Sequence, residues 1–142
     1  MNGKALALWL LTLLFWGSSP LLEKLALRAV SPLLALTIRT SVAAVALVLA
    51  ALLTGEAGGI PEVSPRDLLI LGASGILAGF LGMLTYFSLL KTGAASKIVP
   101  LTAAYPLVTA VLALLILRED LTLTRLLGIL LTVAGLIILQ RS

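Results

Sequence analysis

Tyr86–Pro106 reads YFSLLKTGAASKIVPLTAAYP, and the fold class turns on how this stretch is read. It holds the end of one apolar run, a tight turn with Lys91 and Lys97 on either side, and the start of a second apolar run containing Pro100 and Pro106. Pro106 sits about ten residues into that second run, too deep for a helix-start proline, so it removes one helical hydrogen bond and leaves the Thr102 carbonyl without its usual donor. In water such a helix breaks. In a membrane the freed carbonyl is tolerated where it is buried in protein or lines a cavity. The stretch therefore predicts a polytopic membrane protein in which a small-molecule pathway passes the kink.

Composition agrees with that reading. The 142 residues are 61% hydrophobic and 11% charged, where soluble domains carry about 25% charged residues. The mean hydropathy is +1.20. Working outward from the quoted stretch, five apolar runs appear: Ala5–Leu22, Leu33–Leu53, Leu68–Leu90, Ile98–Leu117 and Leu126–Leu139. The third and fourth are free of charge and reach the roughly 20 residues a helix needs to cross the hydrocarbon core. The fifth reaches that length if it starts near Leu121 with Arg125 snorkelling outward. None alternates polar and apolar residues as a transmembrane strand would. The first run could pass for a signal peptide, but it lacks a small-residue cleavage site and four more runs follow, so it reads as a retained span.

The expected fold class is an all-α integral membrane protein with five transmembrane helices in one domain. The spans are expected near residues 5–29, 33–53, 68–90, 96–117 and 121–140. The chain has no cysteine and no histidine. That removes disulfides, thiolate or imidazole metal sites and imidazole proton relays. No metal and no cofactor is expected. The high isoelectric point, about 10.0, is no nucleic-acid signature, because the basic residues are spread over helix ends.

Span one carries Trp16-Gly17-Ser18-Ser19-Pro20 in its middle. Pro20 frees the carbonyl of Trp16, and Gly17 lies about 18 Å along the helix, near the bilayer centre. Ser18 and Ser19 read either as helix–helix glue or as substrate contacts. Ser31-Pro32 is a serine N-cap followed by a proline at the first helical position. Arg39 lies about 10 Å into span two, where a charge is costly and normally has a partner. Glu23 is the one acid at that end, so a buried Glu23–Arg39 ion pair is expected. A sharper reading gives Arg39 an anionic substrate group. Thr54–Asp67 reads as an exposed loop. Gly72, Gly75, Gly79 and Gly82 form a stripe on span three that Tyr86 continues. Gly128 and Gly135, with Thr132, form another on span five. Both read as close-packing faces. Span four is expected to start at Ser96 as N-cap, and Arg118-Glu119-Asp120 to form the hairpin into span five.

Five spans put the termini on opposite faces. Lys4, Arg66, Arg118 and Arg125 fall on the N-terminal face, and Lys24, Arg28, Arg39, Lys91, Lys97 and Arg141 on the other. The positive-inside bias favours an outside N-terminus, and insertion in both orientations stays open. An odd number of spans makes two tandem copies inverted, which is how many secondary transporters build a midplane site. The chain is thus expected to be one half of an inverted-repeat transporter working as a homodimer, antiparallel with itself or with a related partner.

In the order of its features the chain resembles the EamA-type modules of the drug/metabolite transporter superfamily, and most closely their five-span bacterial and archaeal branch. The residues that carry this are Trp16-Gly17-Ser18, Glu23-Lys24 with Leu25-Ala26-Leu27, Ser31-Pro32, Arg39, Lys91-Thr92-Gly93-Ala94-Ala95-Ser96, Pro100, Tyr105-Pro106, Glu119, Leu121-Thr122 and Gly128. One departure is Arg118 where the family usually has glycine before the glutamate. The resemblance implies a multi-helix transporter in a prokaryotic cell membrane, with its site between spans one, three and four. The small multidrug exporters of the same superfamily use a mid-span glutamate that Ser18 and Ser19 replace here.

The expected function is a secondary transporter of a small amino-acid-like or amphipathic metabolite, moving it by alternating access. No ATP-binding motif is present. Trp16, Ser18, Ser19, Tyr86, Thr102 and Tyr105 are the candidate substrate contacts; the carbonyls freed at the Pro20 and Pro106 kinks are expected to line a shared central cavity with Tyr105 and Ser18 or Ser19, the alternative being that Ser or Thr hydroxyls satisfy them locally with no cavity. The rival readings are a non-transporting accessory subunit and a lipid-translocating relative. A membrane enzyme is disfavoured, since every acid lies at a helix end.

Overall fold

The computed structural model describes residues 2–118 and 122–141, and every long element in it is helical. Five helices are long and apolar enough to cross a membrane: α1 (Gly3–Ala26), α2 (Pro32–Thr54), α3 (Pro65–Thr92), α4 (Ala95–Leu117) and α5 (Leu123–Arg141). The contacts divide the chain into two units, Met1–Thr92 and Gly93–Ser142.

In the first unit, each helix start is set by a polar cap. Asn2 Oδ1 accepts from the Ala5 N–H at 2.9 Å. Ser31 caps α2 with Pro32 next to it. Ser64 accepts from the Asp67 N–H at 3.1 Å and donates to its carboxylate at 2.7 Å. Such caps satisfy the amides that a helix start leaves without partners. Gly55 ends α2 in the left-handed region at φ 80°, which glycine adopts without steric cost. A short 3₁₀ segment, Glu56–Glu62, fills the loop that follows.

Helix α1 runs unbroken through Pro20 to Ala26. Helix α3 is regular to Ser74, passes through a π segment at Gly75–Gly82, and is regular again from Met83. The wider π turn displaces the three-and-four spacing of the glycines, so the stripe does not continue along one line. A Cβ at Gly72, Gly75 or Gly79 would meet nothing within 4 Å. The close-packed neighbour expected for this stripe is therefore not supplied by the first unit. Gly82 has a local reason to be glycine: a Cβ there would come within 3.1 Å of the Leu77 carbonyl oxygen.

The last turns of α3 pack against both α1 and α2. Leu27, Leu36, Phe87 and Leu90 are buried there, with Pro20 and Glu23. In lipid this core gains little from the hydrophobic effect; close packing and polar ties hold it.

In the second unit, α4 begins at Ala95 with Ala94 in the cap position and no side-chain cap bond. This corrects Ser96, which lies inside the first turn. Pro100 lies within the helix. The helix is interrupted at Ala103 and Ala104 and resumes at Tyr105, with Pro106 in the new first turn. Pro106 is thus a helix-start proline after all, because the break comes two residues before it. The rest of α4 ends in a π segment, Ala113–Leu117, and Arg118 at φ 54°. The expected hairpin at Glu119 and Asp120 lies outside the described residues. Helix α5 packs against the first part of α4. A Cβ at Gly128 or Gly135 would meet nothing within 4 Å.

Candidate functional site

On α1, Leu22 and Glu23 each lie three or four residues from both Ser19 and Ala26, so the four share a helix face. Ser19 donates its hydroxyl to Glu23 Oε1 at 2.8 Å. Arg39, from the third turn of α2, brings its Nε to 3.3 Å from the same oxygen. Glu23 is 9% exposed and Arg39 45%. The expected pair is present, with Glu23 buried and Arg39 half-buried within the first unit. The Arg39 guanidinium also lies 6.0 Å from the centre of the Phe87 ring, a cation–π distance. Phe87 meets Tyr86 edge-on, with ring centres 5.9 Å apart and planes at 61°. The Tyr86 hydroxyl lies on the side of the Glu23 carboxylate.

Around this cluster opens a cleft of about 310 Å³. Ser19, Glu23 and Arg39 form its polar side, and Leu22, Ala26 and Ile38 are among its apolar lining. A small apolar cleft with a few convergent polar groups is the usual form of a ligand site. Chemically the cleft can orient a molecule with one charged or polar end. Among the described residues no group of three His, Cys, Asp or Glu could hold a metal.

Two lysines tie the same helix ends together. Lys24 Nζ donates to the Leu90 carbonyl at 2.7 Å and to that of Lys91 at 3.3 Å. Lys91 Nζ donates to the Val30 carbonyl at 3.0 Å. A cation at a helix C-terminus satisfies carbonyls left without helical donors and complements the helix dipole.

The sequence-predicted residues divide. Ser19 lines the cleft, and Tyr86 stands beside its ion pair. Ser18 donates back to the Phe15 carbonyl at 3.2 Å, and Trp16 is 69% exposed; neither lines the cleft. In the second unit, the Thr102 hydroxyl sits 2.9 Å from both the Ile98 and Val99 carbonyls. Tyr105 there is 60% exposed. Sequence reasoning missed the apolar lining, Leu22, Ala26 and Phe87 among it. The first two were open to it, since they continue the helical face of Ser19 and Glu23.

A family model described as EamA-like transporter family matches residues 3–141. A 69-residue stretch is 41% identical to an uncharacterised protein of Methanocaldococcus jannaschii, covering 49% of this chain and 50% of that protein. The match thus spans about half the length of that relative. No solved structure matches.

Proposed function

We propose, since the chain belongs to the EamA-like transporter family, that it is a secondary exporter of a small amphipathic or amino-acid-like metabolite. Membership in that family makes it a multi-pass membrane transporter of small molecules; members of the family are transporters rather than enzymes. In our reading it works as a homodimer by alternating access, in a prokaryotic cell membrane. The observation that carries the reading is the cleft of about 310 Å³ beside the Glu23–Arg39 pair, small, largely apolar and polar at one side.

The dimer is argued from helix number. Five helices are few to enclose a path, and an odd count lets two copies pair as inverted repeats. The test is transport into liposomes containing only this protein, screened against amino acids, other metabolites and lipids. Saturable uptake of a metabolite supports the reading. Movement of lipid alone would favour a lipid translocator, and flux only with a second membrane protein would favour an accessory subunit.

A further inference from the structure

We infer that the Arg39 guanidinium is the anchor for the carboxylate of a small amphipathic organic acid bound in the first-unit cleft. This rests on the transporter reading and names the class of solute for the same cleft.

The inference starts from what Glu23 and Arg39 each have left to offer. Glu23 is buried and already engaged by Ser19 and Arg39. Arg39 is the opposite case. A guanidinium has five N–H donors. Arg39 approaches Glu23 through Nε at 3.3 Å, beyond the 2.7–2.9 Å of a strong charge-assisted bond. No described residue accepts a well-formed hydrogen bond from it. Its head is nevertheless held in place, by Glu23 on one side and the Phe87 ring on another. An oriented, half-exposed guanidinium with unengaged donors on a cleft wall is a fork for a planar anion.

Charge and shape narrow the ligand. At these helix ends of the first unit Lys24, Arg28, Arg39 and Lys91 stand against Glu23 alone among the described residues, so one added negative charge is favoured over an added positive one. An amine would meet the guanidinium directly. A neutral amide would leave much of the fork unsatisfied. The apolar wall of Leu22, Ala26 and Ile38 suits a short hydrocarbon tail. The volume is near the lower end of the usual ligand-pocket range, roughly 300–1,000 Å³, so the tail is short. Glu23 is then a positioning residue, which orients Arg39 from behind.

The test uses the full chain in lipid nanodiscs, with hexanoate as probe and hexanamide and hexylamine as matched controls. Binding is read by saturation-transfer NMR. Hexanoate is expected to bind at least tenfold more tightly than either control. Arg39→Gln alone strands the Glu23 charge, so the decisive variant is Glu23→Gln with Arg39→Gln, which should erase the preference. If that variant does not fold, Arg39→Lys takes its place. It keeps the charge but loses the planar fork, and should cut the preference at least threefold. Equal binding of the three probes, or an unchanged preference in the variant that folds, overturns the assignment.

A lipid headgroup also carries carboxylates, and nanodiscs with and without phosphatidylserine separate the two sources. Equal hexanoate affinity in both assigns the site to a free acid. Binding only without phosphatidylserine makes the occupant a lipid and overturns the small-acid assignment. Counterflow of other solutes with no preference for hexanoate would sink this inference and leave the transporter reading standing. Hexanoate binding with no counterflow of any solute would sink the transporter reading instead.

Discussion

Lys24 and Lys91 tie the ends of α1 and α3 together: Lys24 reaches from α1 to the Leu90 carbonyl in the last turn of α3 at 2.7 Å, and Lys91 reaches from α3 to the Val30 carbonyl, in the turn between α1 and α2, at 3.0 Å. The clamp lies at the same helix ends as the Glu23–Arg39 pair, so two sets of polar ties fix one end of the first unit. In a bilayer, where apolar packing gains little over lipid contact, such ties carry a larger share of the stability.

The clamp predicts unequal effects of its two lysines. A hydrogen bond from a charged group contributes about 1.5–3 kcal/mol. Lys24 makes the shorter, part-buried bond, whereas Lys91 is exposed. Lys24→Gln should therefore lower the thermal midpoint in detergent clearly, and Lys91→Gln less. Equal midpoints for both variants and the parent chain would show that the clamp contributes nothing.

The ion pair predicts a signed double-mutant cycle. Arg39→Met leaves the Glu23 carboxylate buried and uncompensated, which for buried pairs costs roughly 3–5 kcal/mol. Glu23→Gln keeps a polar acceptor beside Arg39, which is only half buried within the unit, and should cost less. The double variant should be more stable than Arg39→Met alone. Unfolding midpoints check this; additive losses would mean that the two side chains do not interact.

Much of the fold is legible in the sequence, for a physical reason. Charge-free runs of spanning length have almost no alternative to a membrane helix, and Ser31-Pro32 is a helix start by its own chemistry. The break in α4 is not legible. Thr102-Ala103-Ala104-Tyr105 holds no glycine, asparagine or other turn residue, so Pro106 reads as an internal kink when it opens a new segment. The π segment of α3 hides in the same way, because a glycine-rich apolar run suits α and π turns alike. At the site, Glu23 and Arg39 can be matched by depth and sign. The reach of a lysine to a distant carbonyl depends on how helix ends meet in space, which no local pattern records.

Gly79 gives a prediction about assembly. A Cβ there would meet nothing within 4 Å, so a larger side chain does not clash inside the chain. If the exposed stripe is where two copies meet, Gly79→Leu should weaken the two-chain band in crosslinking while the helix content stays the same. Leu81→Ala should leave the band unchanged. Equal bands for both variants would place the contact elsewhere.

Pro106→Ala restores an N–H that can reach the Thr102 carbonyl and should let α4 run through Ala103 and Ala104. If the break belongs to the transport pathway, the rate should fall about tenfold, equivalent to 1.4 kcal/mol, with folding and dimer content unchanged. An unchanged rate in a folded variant would make the break purely structural.

The most direct test of the central claim, that this chain by itself moves a small molecule, is counterflow in liposomes reconstituted with the purified protein alone. Liposomes preloaded with unlabelled solute should accumulate the labelled solute transiently above equilibrium, with saturable rates that scale with the amount of protein. Folded, dimeric protein that gives no counterflow with any amino acid or metabolite, or gives it only beside a second membrane protein, would contradict the account.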